Sequence, residues 1–177
     1  MISDDRLFLP LAACEYAEVS GDAAIFDEQI PYLVNTEIPY GQQNIYCEME
    51  RSDDTETLYE HCCRAVELSF ELRGAHGLPL MGTGDWNDGM DAVGWDGGES
   101  VVVGWLLLLA ARALLPVCKK RGDTARAMLF ERESAALRAV IESNAWDKNR
   151  YIRAFFGDGT SLGSADCSEC AVDCVSE

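Results

Sequence analysis

The sequence predicts an all-α fold: an array of long helices, or a toroid of paired helices, with functional groups gathered in loops at one rim. Three observations predict it. Between punctuating glycines and acids, the chain reads as a succession of helix-length segments, each preceded by a capping residue. The stretch from Val101 to Val117 is apolar enough for a buried helix. Only Tyr151 to Phe156 alternates like a strand, with Gly157-Asp158-Gly159 as its turn.

In order, the first helix runs from Arg6 to about Val19 and is closed by Gly21-Asp22; Asp22 caps a short second helix near Ala23 to Gln29. Ile30-Pro31 through Gln43 reads as irregular chain. Asp53 followed by Glu56 forms a carboxylate variant of the capping box ahead of a helix from Thr55 to about Leu72. Its apolar face is Leu58, Cys62, Ala65 or Val66, and Ser69 or Phe70, and Arg73-Gly74 ends it. A glycine-rich acidic loop, Gly77 to Gly98, follows; loops of this length in a compact domain usually carry function. Ser100 caps the apolar helix, which runs to Lys119-Lys120 with Gly122 just beyond. Asp123 caps a last long helix to about Ser143, with Leu129, Phe130, Leu137, Val140 and Ile141 as its apolar stripe and Arg126, Arg132 and Arg138 facing out.

Composition narrows the function. A chain of 177 residues with 48% apolar content buries a core of its own, so one folded unit is expected. With 14 Lys and Arg against 31 Asp and Glu, the net charge of -17 repels phosphate backbones and anionic membrane surfaces, which excludes nucleic acid as a partner. The apolar stretch is shorter than a bilayer span and contains Arg112 and Pro116, so a buried helix is preferred to a membrane anchor. The eight cysteines are scattered with no signal peptide before them, which fits reduced thiols in a cytoplasmic setting.

The densest chemistry is Gly82-Thr83-Gly84-Asp85-Trp86-Asn87-Asp88-Gly89-Met90-Asp91. An indole face stacks on sugar C–H groups, carboxylates and an amide read hydroxyls, and an acid held in a partly dry place keeps a proton for a leaving oxygen. As a calcium loop this run has the wrong spacing and no bidentate Glu. Cys167, Cys170 and Cys174 offer three thiols without an evident fourth ligand, so free thiols are expected and no metal site is assigned. His61 is expected to pack or hydrogen-bond within a helix. His76 either orients the acidic loop or serves structure. Trp105 is expected in the core and Trp95 near the cleft.

From Arg73-Gly74-Ala75-His76-Gly77-Leu78-Pro79-Leu80-Met81 through Gly82-Thr83-Gly84-Asp85-Trp86-Asn87-Asp88-Gly89-Met90, the sequence closely resembles the inverting disaccharide phosphorylases of glycoside hydrolase family 94. It is most similar to the phosphorylase-like domain of cyclic β-1,2-glucan synthases. Ser3-Asp4-Asp5-Arg6-Leu7-Phe8-Leu9-Pro10, Leu58-Tyr59-Glu60-His61-Cys62, and Asp158-Gly159-Thr160-Ser161-Leu162-Gly163-Ser164 with Glu169-Cys170 and Asp173 extend the likeness in the same order. Asp91 stands where the motif often has Asn, and Cys167, Ser168 and Cys174 depart from the family's terminal segment.

The resemblance implies part of an (α/α)6 barrel with long functional loops and a short β-hairpin. Residues 1–177 would form one partial catalytic domain, truncated at both ends and inactive alone, without the family's downstream histidine and Thr-Gly phosphate contacts. Asp88 would donate the proton to the glycosidic oxygen, while inorganic phosphate, a co-substrate rather than a cofactor, attacks the anomeric carbon. For this, burial or the charge of Asp85 or Asp91 must raise the pKa of Asp88. Asp4, Asp85, Trp86 and Asn87 would bind sugar, with Asp4 gripping glycone hydroxyls and Glu169 bordering the acceptor side. The implied partners are a β-linked oligosaccharide or glucan and inorganic phosphate or a sugar 1-phosphate. The implied parent lies at an inner membrane with this domain on its cytoplasmic side and no membrane contact of its own. An inverting α/α-barrel hydrolase, which needs a carboxylate base for water, and a non-catalytic carbohydrate-binding helical module are the alternatives.

Overall fold

A computed structural model describes residues 2–34, 47–168 and 170–172, the side chain of Asp88 excepted. Helix α1 (Asp5–Ser20) ends where Gly21 turns left-handed at φ 75° and returns its N–H to the Ala17 carbonyl. The Asp22 side chain then accepts from Ala24 N–H and caps a 3-10 turn, Ala23–Asp27.

The next elements differ from the sequence reading. Strands β1 (Gln29–Leu33) and β2 (Arg51–Thr57) pair antiparallel, with Gln29 opposite Thr57 and Pro31 opposite Thr55. Residues predicted as irregular chain and as a first helical turn are therefore a β-ribbon, and 35–46, which join the two strands, lie outside the described residues. The cap moves accordingly. Thr57, not Asp53, opens helix α2 (Leu58–Glu71), its hydroxyl accepting from Glu60 N–H at 3.2 Å. His61 hydrogen-bonds the Ile30 carbonyl at 2.9 Å and lies against the Tyr32 ring, tying the ribbon to α2.

The acidic loop contains a 3-10 turn (Asp88–Met90) and helix α3 (Asp91–Gly94), and strand β3 (Glu99–Ser100) follows it. Helix α4 (Val101–Arg121) is capped by Ser100, whose hydroxyl accepts from Val103 N–H, and closed by left-handed Gly122, as the sequence predicts. Helix α5 (Thr124–Val140) starts at the predicted Asp123 cap, which accepts from Arg126 N–H, and unwinds through a π-turn, Ile141–Ala145.

Strands β4 (Trp146–Asp147) and β5 (Arg150–Tyr151) make a tight ribbon. Strand β6 (Ala154–Phe155) lies between β3 and β7 (Ser161–Leu162) in a three-stranded antiparallel sheet. The predicted single strand from Tyr151 to Phe156 is thus two pieces, because Arg150–Tyr151 pairs with β4 while Ala154–Phe155 pairs with β3 and β7.

The architecture is helix-dominated with three small sheets. Helix α4 packs along α1, α2 and α5. Leu107, Ala110 and Leu114 of α4 meet Leu7 of α1, Val66 and Phe70 of α2, and Phe130 and Leu137 of α5 in one apolar cluster. Each large side chain so buried contributes about 1.5–3 kcal/mol. Of the described helices, α4 alone is long and apolar enough to cross a membrane, yet 44% of its most apolar window is buried in the fold. Its outward side, including Leu109, lines a groove of about 870 Å³ against α1. Cys14, Cys47, Cys62, Cys63, Cys118 and Cys170 are free, and Cys62, Cys63 and Cys118 have no exposed surface.

Arg126 departs from its predicted outward position. Its guanidinium spans both oxygens of Glu60 at 2.8 Å and donates to Glu67 at 2.8 Å and Asp123 at 3.4 Å. Tyr59 donates its hydroxyl to Asp123 at 2.9 Å, so the junction of α2 and α5 is held by a half-buried charge cluster.

Candidate active site

The start of the chain is laid against the acidic loop. Ile2 bridges Gly82, and Ser3 donates both its backbone N–H (3.0 Å) and its hydroxyl (3.2 Å) to the Gly84 carbonyl. This puts Asp4, the residue before α1, beneath the loop with only 4% of its surface exposed. One of its carboxylate oxygens, Oδ1, is buried with no hydrogen-bond partner among the described residues. Its pKa is raised, first by desolvation and further by the charges of Asp5 and Asp85. An orphan acceptor of this kind costs stability unless a ligand satisfies it.

Asp85 is the opposite case: fully buried and fully partnered. Arg153 grips it with a bidentate fork, Nη1 to Oδ2 and Nη2 to Oδ1, both at 2.8 Å. Ser100 donates its hydroxyl to Oδ2 at 2.5 Å, and Asn87 donates its backbone N–H to Oδ1 at 3.1 Å. Burial pushes the Asp85 pKa up, but the hydrogen bonds from Arg153 and Ser100 and the guanidinium charge outweigh it, leaving a net lowering. Asp85 is therefore an ionised anchor, and its charge is offset by Arg153. One expectation changes: Asp85, fully buried behind its donors, presents no surface to a sugar.

From this anchor the loop turns outward. Trp86 is 60% exposed, which leaves its indole open to a stacking partner. The Asn87 side chain accepts from Gly89 N–H at 3.0 Å and so caps the turn that Asp88 begins. The backbone of Asp88 is thus fixed two hydrogen bonds from Asp85; its side chain lies outside the described residues, as do Glu169 and Cys174. Asp91 opens α3 and is exposed. Gly94 lets that helix touch the loop's base, since a Cβ there would collide with the Gly82 carbonyl.

The supporting layer was not foreseen. Glu99, 2% exposed, accepts from the backbone N–H groups of His76 and Leu78 and from His76 Nδ1 at 2.5 Å. His76 also stacks on Phe155 with ring centroids 3.7 Å apart. It therefore holds the segment before the acidic loop, and Ser100, the neighbour of Glu99, holds Asp85. Arg153 had one legible signal: an arginine amid Tyr151, Ile152, Ala154 and Phe155 demands a buried acid, though not a particular one.

Trp95 is 58% exposed, and Trp105 is half-buried with its ring edge-on to Tyr151. The groove between α1 and α4 is lined by Leu11, Cys14, Leu109 and Pro116 among others, and none of the acidic-loop residues reaches it. Among the described residues, no group of three or more His, Cys, Asp or Glu is arranged to hold a metal ion.

The whole chain, residues 1–177, matches the model of the glycosyl hydrolase 94 superfamily catalytic domain. It is 40% identical, over all its length, to the cyclic beta-(1,2)-glucan synthase NdvB of Rhizobium meliloti (strain 1021), of which it covers 6%. It is 38% identical over 67% of its length to the 3-O-beta-D-glucopyranosyl-beta-D-glucuronide phosphorylase of Paenibacillus borealis, covering 16% of that protein. To the N,N'-diacetylchitobiose phosphorylase of Vibrio furnissii it is 28% identical over 94% of its length, covering 18%. The chain thus spans less than a fifth of each of these three relatives. With the acidic loop, its buried anchor and the full-length match in agreement, the chain belongs to the glycosyl hydrolase 94 superfamily.

Proposed function

We propose that this segment supplies the proton-donor side of an inverting glycoside phosphorylase site at one rim of an (α/α)6 barrel, acting on β-linked glucosides of the β-1,2-glucan kind. Inorganic phosphate attacks the anomeric carbon. A carbon–oxygen bond to phosphate forms as the glycosidic bond breaks, the bonding pair leaves with the acceptor oxygen, and the proton of Asp88 moves to that oxygen. The products are a sugar 1-phosphate of inverted configuration and a shortened acceptor; Asp88 then regains a proton from solvent. Run backwards, the same step extends a glucan. Phosphate is already a nucleophilic anion at neutral pH, so the scheme needs no catalytic base.

The observation that carries this reading is Asp4, a buried carboxylate with an unpartnered oxygen directly beneath the loop. A sugar hydroxyl there satisfies it. Trp86 supplies the stacking face, Asn87 shapes the turn and borders the sugar, Asp85 anchors the loop, and Glu169 enters on the acceptor side by likeness to the family.

The test uses a complete catalytic polypeptide carrying this segment, incubated with β-1,2-glucooligosaccharide and inorganic phosphate. Release of sugar 1-phosphate is expected, with the Asp88→Asn variant losing about 10²–10⁴-fold in rate while still binding sugar. Release of a free reducing sugar instead points to a hydrolase, and sugar binding without turnover to a carbohydrate-binding module. Either result, or full activity in Asp88→Asn, overturns the assignment.

A further inference from the structure

Arg153 lies 68 residues beyond Asp85 in the chain, and no sugar-reading motif contains it. Its side chain is 2% exposed and forks onto Asp85. Three separate elements converge on that carboxylate: Arg153, immediately before β6; Ser100, at the end of β3; and Asn87, inside the loop. Because β3 and β6 are hydrogen-bonded neighbours, with Ser100 opposite Ala154, the hydroxyl and the guanidinium reach Asp85 from one rigid sheet. The backbone of Arg153 is itself locked, donating to the Leu162 carbonyl at 2.8 Å and accepting from Val101 N–H at 3.4 Å. Gly163 makes room for this, since a Cβ there would press on the Arg153 backbone.

We infer that Arg153 is a positioning residue for proton transfer: by clamping Asp85 against the β3–β6 sheet, it fixes the Asp85–Asn87 turn and so the place from which Asp88 meets the leaving oxygen. This rests on the assignment of Asp88 as the acid. A fork fixes direction as well as distance, which a single ammonium does not, so lysine is a poor replacement. A displacement of about 1 Å at a reacting group costs on the order of 10²-fold in rate. Ser100 adds a mechanical consequence. The same oxygen accepts from Val103 N–H to cap α4 and donates to Asp85, so the longest helix and the acidic loop share one hinge-free joint.

A clamp that acts through the proton donor is distinguished from one that merely stabilises the fold by the leaving group. Cleaving an unactivated disaccharide needs a proton on the departing oxygen; an aryl β-glucoside with a dinitrophenolate leaving group does not. In the complete catalytic polypeptide, Arg153→Lys is expected to lower kcat on the disaccharide about 10²-fold with KM nearly unchanged. On the activated glucoside it is expected to stay within a few-fold of the parent, and Asp88→Asn, run alongside, should show the same pattern more strongly.

Equal losses on both substrates, or none on either, overturn the role of Arg153. Parental activity of Asp88→Asn on the disaccharide overturns the acid assignment instead, so the two failures are separable. Should Arg153→Lys fail to fold, Ser100→Ala keeps the fork and removes one donor. It is then expected to show the same leaving-group contrast at about tenfold, and parental rates or equal losses in that variant overturn the inference.

Discussion

Two arginines organise this molecule, and they do so in different dielectric settings. Arg153 meets Asp85 where the side chains are 2% and 0% exposed; Arg126 meets Glu60, Glu67 and Asp123 where exposure runs from 21% to 33%. Burial, not the number of acids met, makes the first the more consequential. Water shares the charge of Arg126, so losing it leaves three acids that can rehydrate. Asp85 has no such recourse. Removing its partner leaves a buried carboxylate with the Ser100 and Asn87 hydrogen bonds and no countercharge from Arg153, so it must either protonate or drag water in.

The largest effect that contrast predicts is in Arg153→Met. Breaking a buried ion pair from one side costs about 3–5 kcal/mol, to be read as a lowered midpoint in urea unfolding. The intact pair also has a pH signature. The pKa of Asp85 is lower in the folded state, so its stabilisation is complete above the unfolded value and is lost as pH falls through the folded one. The parent should therefore lose stability at pH values below the usual aspartate pKa of 3.8, while Arg153→Met should lack that loss.

Arg126→Met is expected to cost about 1–2 kcal/mol, less than the buried pair despite the greater number of bonds removed. Raising salt from 0.05 to about 1 M should shrink that cost and leave the cost of Arg153→Met nearly unchanged, because screening reaches only the partly wet cluster. If both respond equally to salt, the contrast between the two arginines fails.

Asp4→Asn gives the smallest change, and with the opposite sign. A buried carboxylate that lacks a partner is penalised when ionised, so its removal should stabilise the protein by about 1 kcal/mol at pH 7. The folded pKa of Asp4 lies above the usual 3.8, so the penalty sets in as pH rises from 3.8 through the folded value. Melting curves of the variant and its parent should therefore converge below about pH 4 and separate above it. Asp85 and Asp4 lie close together and pull stability in opposite directions with pH.

The parts of the fold that the sequence made legible are those governed by local chemistry. Ser100, Asp123, Asp22 and Gly122 cap the elements they were expected to cap, because a cap involves residues two to four apart. The β-ribbon escaped because its register joins Gln29 to Thr57, a pairing set by contacts across the chain, and the start of α2 moved with it. The acidic loop stands out in the sequence by its composition. Its anchor does not, since Asp85 and Arg153 are 68 residues apart and neither neighbourhood names the other. Asp85 was read as a sugar ligand because acids beside an indole look alike until a guanidinium is found behind one of them.

The three sealed thiols on α2 and α4, Cys62, Cys63 and Cys118, have a practical corollary. A water-soluble aromatic disulfide can reach exposed Cys47 and Cys170 at once, but the sealed three only when those helices part. The slow phase of colour release in native buffer therefore times the opening of the interior, and each variant above carries its own stopwatch without an added label.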